Sequence, residues 1–149
     1  SAARQDRHAN WIVGSNARLP VLPASLDRIL CMFGFPVYPE FARVLRPGGL
    51  LIQVDAGPEH LRELREIIYP TLKPERPADP TPPQGFSALP AETLRYALEL
   101  TDRAQIADLL AMTPHLHRAT ADGRARAAAL TTLTLTVDVR LTRLMREPD

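Results

Sequence analysis

Of the four histidines, His60 stands where a helix starts after an apolar run, in Gly57-Pro58-Glu59-His60-Leu61-Arg62-Glu63-Leu64. A neutral imidazole there can relay a proton or bond a ligand. The plainer alternative is a surface or capping histidine. Ser15 and Asn16 follow Trp11-Ile12-Val13 and can hydrogen-bond a ligand, or can simply form the turn. Phe35, in Phe33-Gly34-Phe35, can stack on an extruded base, or can serve as a core or lid residue. His115 and His117 form an H-x-H pair, but no carboxylate or third ligand accompanies them in register, so no metal is expected. Cys31 is the only cysteine and lies inside an apolar run, where it reads as an inert small residue. One cysteine excludes a disulfide framework and a cysteine zinc site.

The elements that must position these residues are organised around Phe41 to Val54. Phe41, Val44 and Leu45 fall on one helical face, and Pro39 and Glu40 suit the first turn of a helix over Tyr38 to Leu45. Pro47 cannot continue it, and Gly48-Gly49 permit the reversal. Leu50-Leu51-Ile52-Gln53-Val54 then reads as a strand covered on both faces. A helix feeding a covered strand is the repeating step of an α/β sheet. Trp11-Ile12-Val13 and Arg28 to Phe33 are further strand candidates, each followed by a loop at its carboxyl end, where ligands sit in open α/β sheets.

Past Asp55, the apolar stripe Leu61, Leu64, Ile67, Ile68 predicts a helix running to Tyr69. Pro70 to Pro90 holds seven of the 15 prolines, so a long irregular loop is expected, either a lid or a flexible excursion. Thr93 to Thr101 alternates, with Leu94, Tyr96, Leu98 and Leu100 on one face, which suits a half-buried strand, although its Ala and Glu leave a helix open. Asp102 can cap a helix running to Met112. Leu133 to Leu141 alternates cleanly, with Asp138 on its polar face, and predicts a half-solvated, antiparallel last strand.

A chain of 149 residues with 45% hydrophobic and 23% charged content suits one globular domain. A net charge of +1 argues neither for nor against a nucleic-acid partner. No run approaches the about 18 apolar residues of a membrane helix, and no signal segment is evident, so the expected location is cytoplasmic with no membrane partner. Ser1 to Gln5 look like the tail of a helix, so the chain reads as a fragment.

The phrase Leu45-Arg46-Pro47-Gly48-Gly49-Leu50 resembles the turn of class I S-adenosylmethionine-dependent methyltransferases. Within that class the chain is most similar to the 23S ribosomal RNA guanine-N1 methyltransferases, including the tylosin-resistance type. Val13 to Pro20 and Glu40 to Gly49 are shared widely; Gly57 to Leu64 and Leu110-Ala111-Met112-Thr113-Pro114 are more particular. The resemblance runs from about Ala9 to Arg143. It implies a Rossmann-like sheet, mostly parallel with an antiparallel last strand, with the first strands missing and residues 1–149 forming the C-terminal portion of a catalytic domain. It also implies S-adenosylmethionine as cofactor and 23S rRNA as partner. Ser15, Asn16 and Ala17 then correspond to the loop beside the adenine. Phe33, Gly34 and Phe35 correspond to the wall between cofactor and base, and His60 to a histidine at the active-site rim.

The chain departs from that pattern. The family's cysteine-rich zinc domain is absent, as are the glycine-rich cofactor turn and the acidic ribose partner. Without the strands that carry them, Ile29 to Phe33 is expected to be an exposed edge that invites pairing, and a homodimer through exposed or swapped strands is expected. Two functions therefore stand: a methyltransferase acting on N1 of a guanine, or a non-catalytic module for assembly or RNA contact.

Overall fold

The computed structural model describes residues 4, 6, 8–72, 81–113 and 119–148. In chain order these form β1 (Leu26–Met32), α1 (Tyr38–Val44), β2 (Leu45–Ala56), α2 (Arg62–Ile68), β3 (Phe86–Leu100), α3 (Arg103–Met112), α4 (Ala121–Ala129) and β4 (Leu133–Arg146). The strands make one mixed sheet in the order β1-β2-β4-β3. The α/β class and the mixed sheet are as expected. Trp11-Ile12-Val13 is not a strand: it is irregular, and its side chains are exposed. Three β-prone residues do not hold extended pairing without a neighbour to complete the ladder.

The chain divides into two compact units. The first holds residues 1–52, 82–89 and 143–149. Its core is Cys31, Phe41, Leu45, Leu51, Phe86 and Leu144, with the Tyr38 and Phe86 rings edge to face at 6.2 Å. Pro39 sits in the first turn of α1, and Phe41 and Val44 are buried on its inner face. The helix ends at Val44, one residue early, because Leu45 is already extended and buried. The predicted reversal at Pro47-Gly48-Gly49 does not form: these residues lie within β2, where Gly48 takes φ +74°, and from Leu50 to Asp55 no residue of β2 is exposed.

The second unit holds residues 53–81 and 90–142. Leu61, Leu64 and Ile68 from α2 and its lead-in pack with Ile106, Leu110, Ala127, Leu133 and Leu135. Asp102 caps α3 as expected, accepting from the Ala104 N–H at 3.0 Å. The alternation of Leu133 to Leu141 gave no hint of α4. That helix is set by the Thr120 hydroxyl, which accepts from the Gly123 N–H at 3.0 Å, and by the small buried pair Gly123 and Ala127.

Two expectations about strands need correction. Of the predicted irregular loop from Pro70 to Pro90, residues 73–80 lie outside the described residues, and its last part, Phe86–Pro90, belongs to β3. A proline fits there because β3 is the outermost strand of the sheet. The inward face of Thr93 to Thr101 is also not buried: every residue from 91 to 99 is exposed, and only Leu100 reaches the core.

Candidate functional site

Two loop clusters carry the residues singled out above, one in each unit. In the first unit, Ser15 and Arg18 close a tight turn, the Arg18 N–H donating to the Ser15 carbonyl at 3.0 Å. The Ser15 hydroxyl accepts from the Ala17 N–H at 3.2 Å. The Asn16 amide donates to the Phe35 carbonyl at 3.0 Å, which ties this turn to the loop after β1. Ser15, Asn16 and Ala17 are thus brought to Phe33, Gly34 and Phe35. Phe33 sits at φ +48°, a left-handed conformation that a bulky residue adopts at a cost of about 1–2 kcal/mol. Phe33 is 55% exposed and Phe35 89% exposed.

Glu40 braces the segment that follows. Its carboxylate accepts from the Leu19 N–H at 2.7 Å and from Arg43 at 2.6 and 2.8 Å. Arg43 also donates to the carbonyls of Leu19 and Val21 at 3.2 and 3.0 Å. The Arg43 guanidinium, aided by the Leu19 N–H, holds the Glu40 carboxyl at about 2. The sequence suggested Glu40 only as a favourable helix-start charge. The unread signal was its i, i+3 spacing from Arg43, which lets one helix face grip a neighbouring loop.

In the second unit, residues 57–63 are locked onto the middle of β4. The Gly57 N–H donates to the Asp138 carbonyl and the Leu61 N–H to the Thr136 carbonyl, both at 2.8 Å. Asp138 Oδ2 accepts from the Glu59 N–H at 3.0 Å. Glu63 accepts from the Thr136 N–H at 2.8 Å and from its hydroxyl at 2.6 Å. A Cβ at position 57 would lie 2.6 Å from the Asp138 carboxylate, so only glycine admits that approach. Burial pushes the Glu63 carboxyl up, but the two bonds from Thr136 outweigh it and the net shift is downward.

His60 sits in the turn before α2 rather than within the helix. Its Nδ1 accepts from the Asp138 N–H across a long 3.3 Å. That bond requires Nδ1 to be unprotonated and so favours the tautomer with hydrogen on Nε2. Burial, and then the nearby Arg65 charge, shift its pKa below 6.5, so the ring is neutral at physiological pH. Asp138 is 3% exposed, against the prediction that it lies on a solvated face. The correction has a local cause: the Gly57 turn covers that face of β4 and supplies the carboxylate with a donor. Strict alternation along Leu133 to Leu141 could not reveal this.

The residues of the first cluster fit one end of a nucleoside cofactor. Exposed aromatic faces and a polar loop at the end of a strand suit a purine. No residue of this stretch supplies a glycine-rich turn or a ribose-holding acid. Among the described residues, no three potential metal ligands cluster, and no helix is long and apolar enough to cross a membrane. His115 and His117 lie outside the described residues.

No family model matches the chain. A protein of Bacillus subtilis (strain 168) is 33% identical over 143 residues, covering 93% of this chain and 50% of that protein. One from Micromonospora griseorubida is 36% identical over 132 residues, covering 85% of this chain and 44% of that protein. Both carry the name "Putative 23S rRNA (guanine-N(1)-)-methyltransferase". The chain is a homologue of these methyltransferases. It spans about half the length of the curated relatives it matches. Among solved structures, one described under the conversion of a disulfide bond into a thioacetal group during echinomycin biosynthesis superposes with a TM-score of 0.53. At 10% identity, covering 98% of this chain and 60% of that chain, the match speaks for the shared fold alone.

Proposed function

We propose that this chain is the base-presenting part of an S-adenosylmethionine-dependent methyltransferase whose target is N1 of a guanine in 23S rRNA, a substrate met in the cytoplasm. The observation that carries this reading is 33% identity across 93% of the chain to a relative bearing that name. S-adenosylmethionine, when bound, supplies a methyl group carried on a positively charged sulfur. Guanine N1 holds a proton at neutral pH, so help at the base should speed the reaction.

His60 suits that task as a donor better than as a base. With Nδ1 engaged by the Asp138 N–H, its proton resides on Nε2. A donor at guanine O6 draws electron density from N1 and eases the departure of the N1 proton to water. Asp138 acts through His60 and the Glu59 backbone, holding the turn, and is a positioning residue. In the first unit, Phe33 and Phe35 offer planes on which a base can stack, and Ser15, Asn16 and Ala17 form the polar loop tied to them. Alignment of the reacting atoms supplies much of the remaining acceleration.

A methyl on guanine N1 blocks Watson–Crick pairing and stops reverse transcriptase. Primer extension on 23S rRNA from cells with and without the intact gene is therefore the test. One stop at a guanine that disappears with the gene and returns on complementation is expected. Unchanged stops at every guanine overturn the reading. A second reading, a non-catalytic module, has one observation in its favour: the seven glycines contain no G-x-G-x-x-G-like cluster. Unchanged stops together with no calorimetric heat from S-adenosylmethionine would leave that reading standing.

A further inference from the structure

The outermost strand β3 ends in a segment with an unusual pattern of exposure. From Ala91 to Glu99 every residue is exposed. Leu94, Tyr96 and Leu98 lie along one face at 52%, 48% and 38% exposure. They continue the row that Leu100 begins in the core. Arg95, Ala97 and Glu99 lie along the other face. An outermost strand presents unpaired backbone groups, and proteins usually blunt such edges with charge, a bulge or proline. Here Pro90 blunts only the beginning of the segment.

The order of the side chains is self-complementary. We propose that residues 94–100 of β3 pair antiparallel with the same residues of a second copy, about a two-fold axis through Ala97. A two-fold pairing perpendicular to the sheet requires opposed residues to share a face, so their numbers must have the same parity. Centred on Ala97, this register sets Arg95 opposite the partner's Glu99 and Glu99 opposite the partner's Arg95. It also sets Tyr96 opposite the partner's Leu98, and Leu94 opposite the partner's Leu100. Both charges find opposite charges, and the apolar row continues across the axis without a break. Shifting the centre to Arg95 sets like charges opposite each other, which is unfavourable.

The other outermost strand offers no equivalent. In β1 the charged residues are Asp27 and Arg28, which are adjacent and so lie on opposite faces. No two-fold register can oppose them, and Asp27 is already paired with Arg46 at 2.5 Å. Exposed apolar side chains occur on both outer strands; charge complementarity to a second copy distinguishes β3.

The test is the oligomeric state of the chain by sedimentation velocity over a concentration series, with charge reversals. The expected result is a reversible dimer. Arg95→Glu or Glu99→Arg alone sets two like-charge pairs in the register and should raise the dissociation constant about tenfold or more. The double reversal Arg95→Glu with Glu99→Arg restores both pairs and should restore the dimer. These positions are exposed, so the variants should fold, and unchanged circular dichroism checks that. As an independent measure, Ala97→Cys in a Cys31→Ala background should form a disulfide-linked dimer on mild oxidation. A monomer at every concentration overturns the proposal. So does a dimer indifferent to both single reversals, which would place the contact on another surface such as β1. A double reversal that stays as weak as the single ones overturns the register.

Discussion

The loops around Ser15 and Phe35 and the turn around Gly57 and Asp138 hold their side chains by opposite means. In the first, Asn16 spends its amide on a backbone carbonyl, Phe33 is strained, and both phenylalanine rings face solvent. In the second, Asp138 is 3% exposed, and the turn is bonded to β4 through Gly57, Glu59, His60, Leu61 and Glu63. A lightly held, exposed aromatic pair can rearrange around a ligand at small cost. A buried turn with its donors and acceptors paired is set before any ligand arrives. The comparison assigns binding plasticity to the first region and orientation of His60 to the second.

The largest expected effect is on the second region. Gly57→Ala puts a methyl 2.6 Å from a buried carboxylate and forces the turn off β4. It should destabilise by about 2–3 kcal/mol, read in urea or thermal melts. A variant as stable as the parent would mean that the turn is soft, and the contrast between the regions would fail. Asp138→Ala comes next. It strands the Glu59 N–H and should cost about 1–3 kcal/mol, with Asp138→Asn milder because an amide oxygen can still accept.

These two residues also mark how far the sequence could be read. Gly57 was visible in Gly57 to Leu64, and the apolar stripe of α2 was legible from spacing alone, but its start was not: the helix begins at Arg62, after His60. Asp138 was not, because alternation along β4 describes which way a side chain points but not what covers it. The failed strand at Trp11 has the same origin: local β preference was present, and the partner that makes a strand was not. For β3, alternation favoured the strand that forms but implied a burial that it does not have, since residues 91–99 are exposed. In the first region the phenylalanines and the Asn16 turn were legible as types. The grip of Glu40 and Arg43 on Leu19 was not, since it joins residues more than twenty apart.

Acid separates the regions more finely. The Glu40 carboxyl is held at about 2 against 4.5 in the open chain, so its contribution is complete above 4.5 and is lost as pH falls from there toward 2. Glu40→Gln should flatten the pH dependence of stability in that window. His60 is shifted below 6.5, so the unfolded chain binds a proton that the folded chain refuses. Stability should therefore begin to fall as pH drops through 6.5, and His60→Asn, which keeps an acceptor, should remove that earlier slope. Amide exchange can localise the two losses. The His60 slope should open residues 57–63 first, and the Glu40 slope residues 19–21. A reversed assignment would exchange the roles given to the two regions.

The smallest effect on stability, and the one that most sharpens the comparison, is expected from Phe33→Gly. Glycine removes the strain of φ +48° but loosens the unfolded chain, and these terms are each of order 1 kcal/mol and opposite in sign. The ring is more than half exposed, so little packing is lost. The melting curve should move by less than about 0.5 kcal/mol. If Phe33 faces a purine, removing its ring takes away a stacking plane worth about 1–3 kcal/mol per base, and affinity for a guanine-containing oligonucleotide should fall about fivefold or more. Stability unchanged with weakened binding is the signature of a residue kept strained for a ligand. Stability lost with binding intact would make Phe33 a core residue, and the first region would then be a second rigid support rather than the adaptable half of the pair.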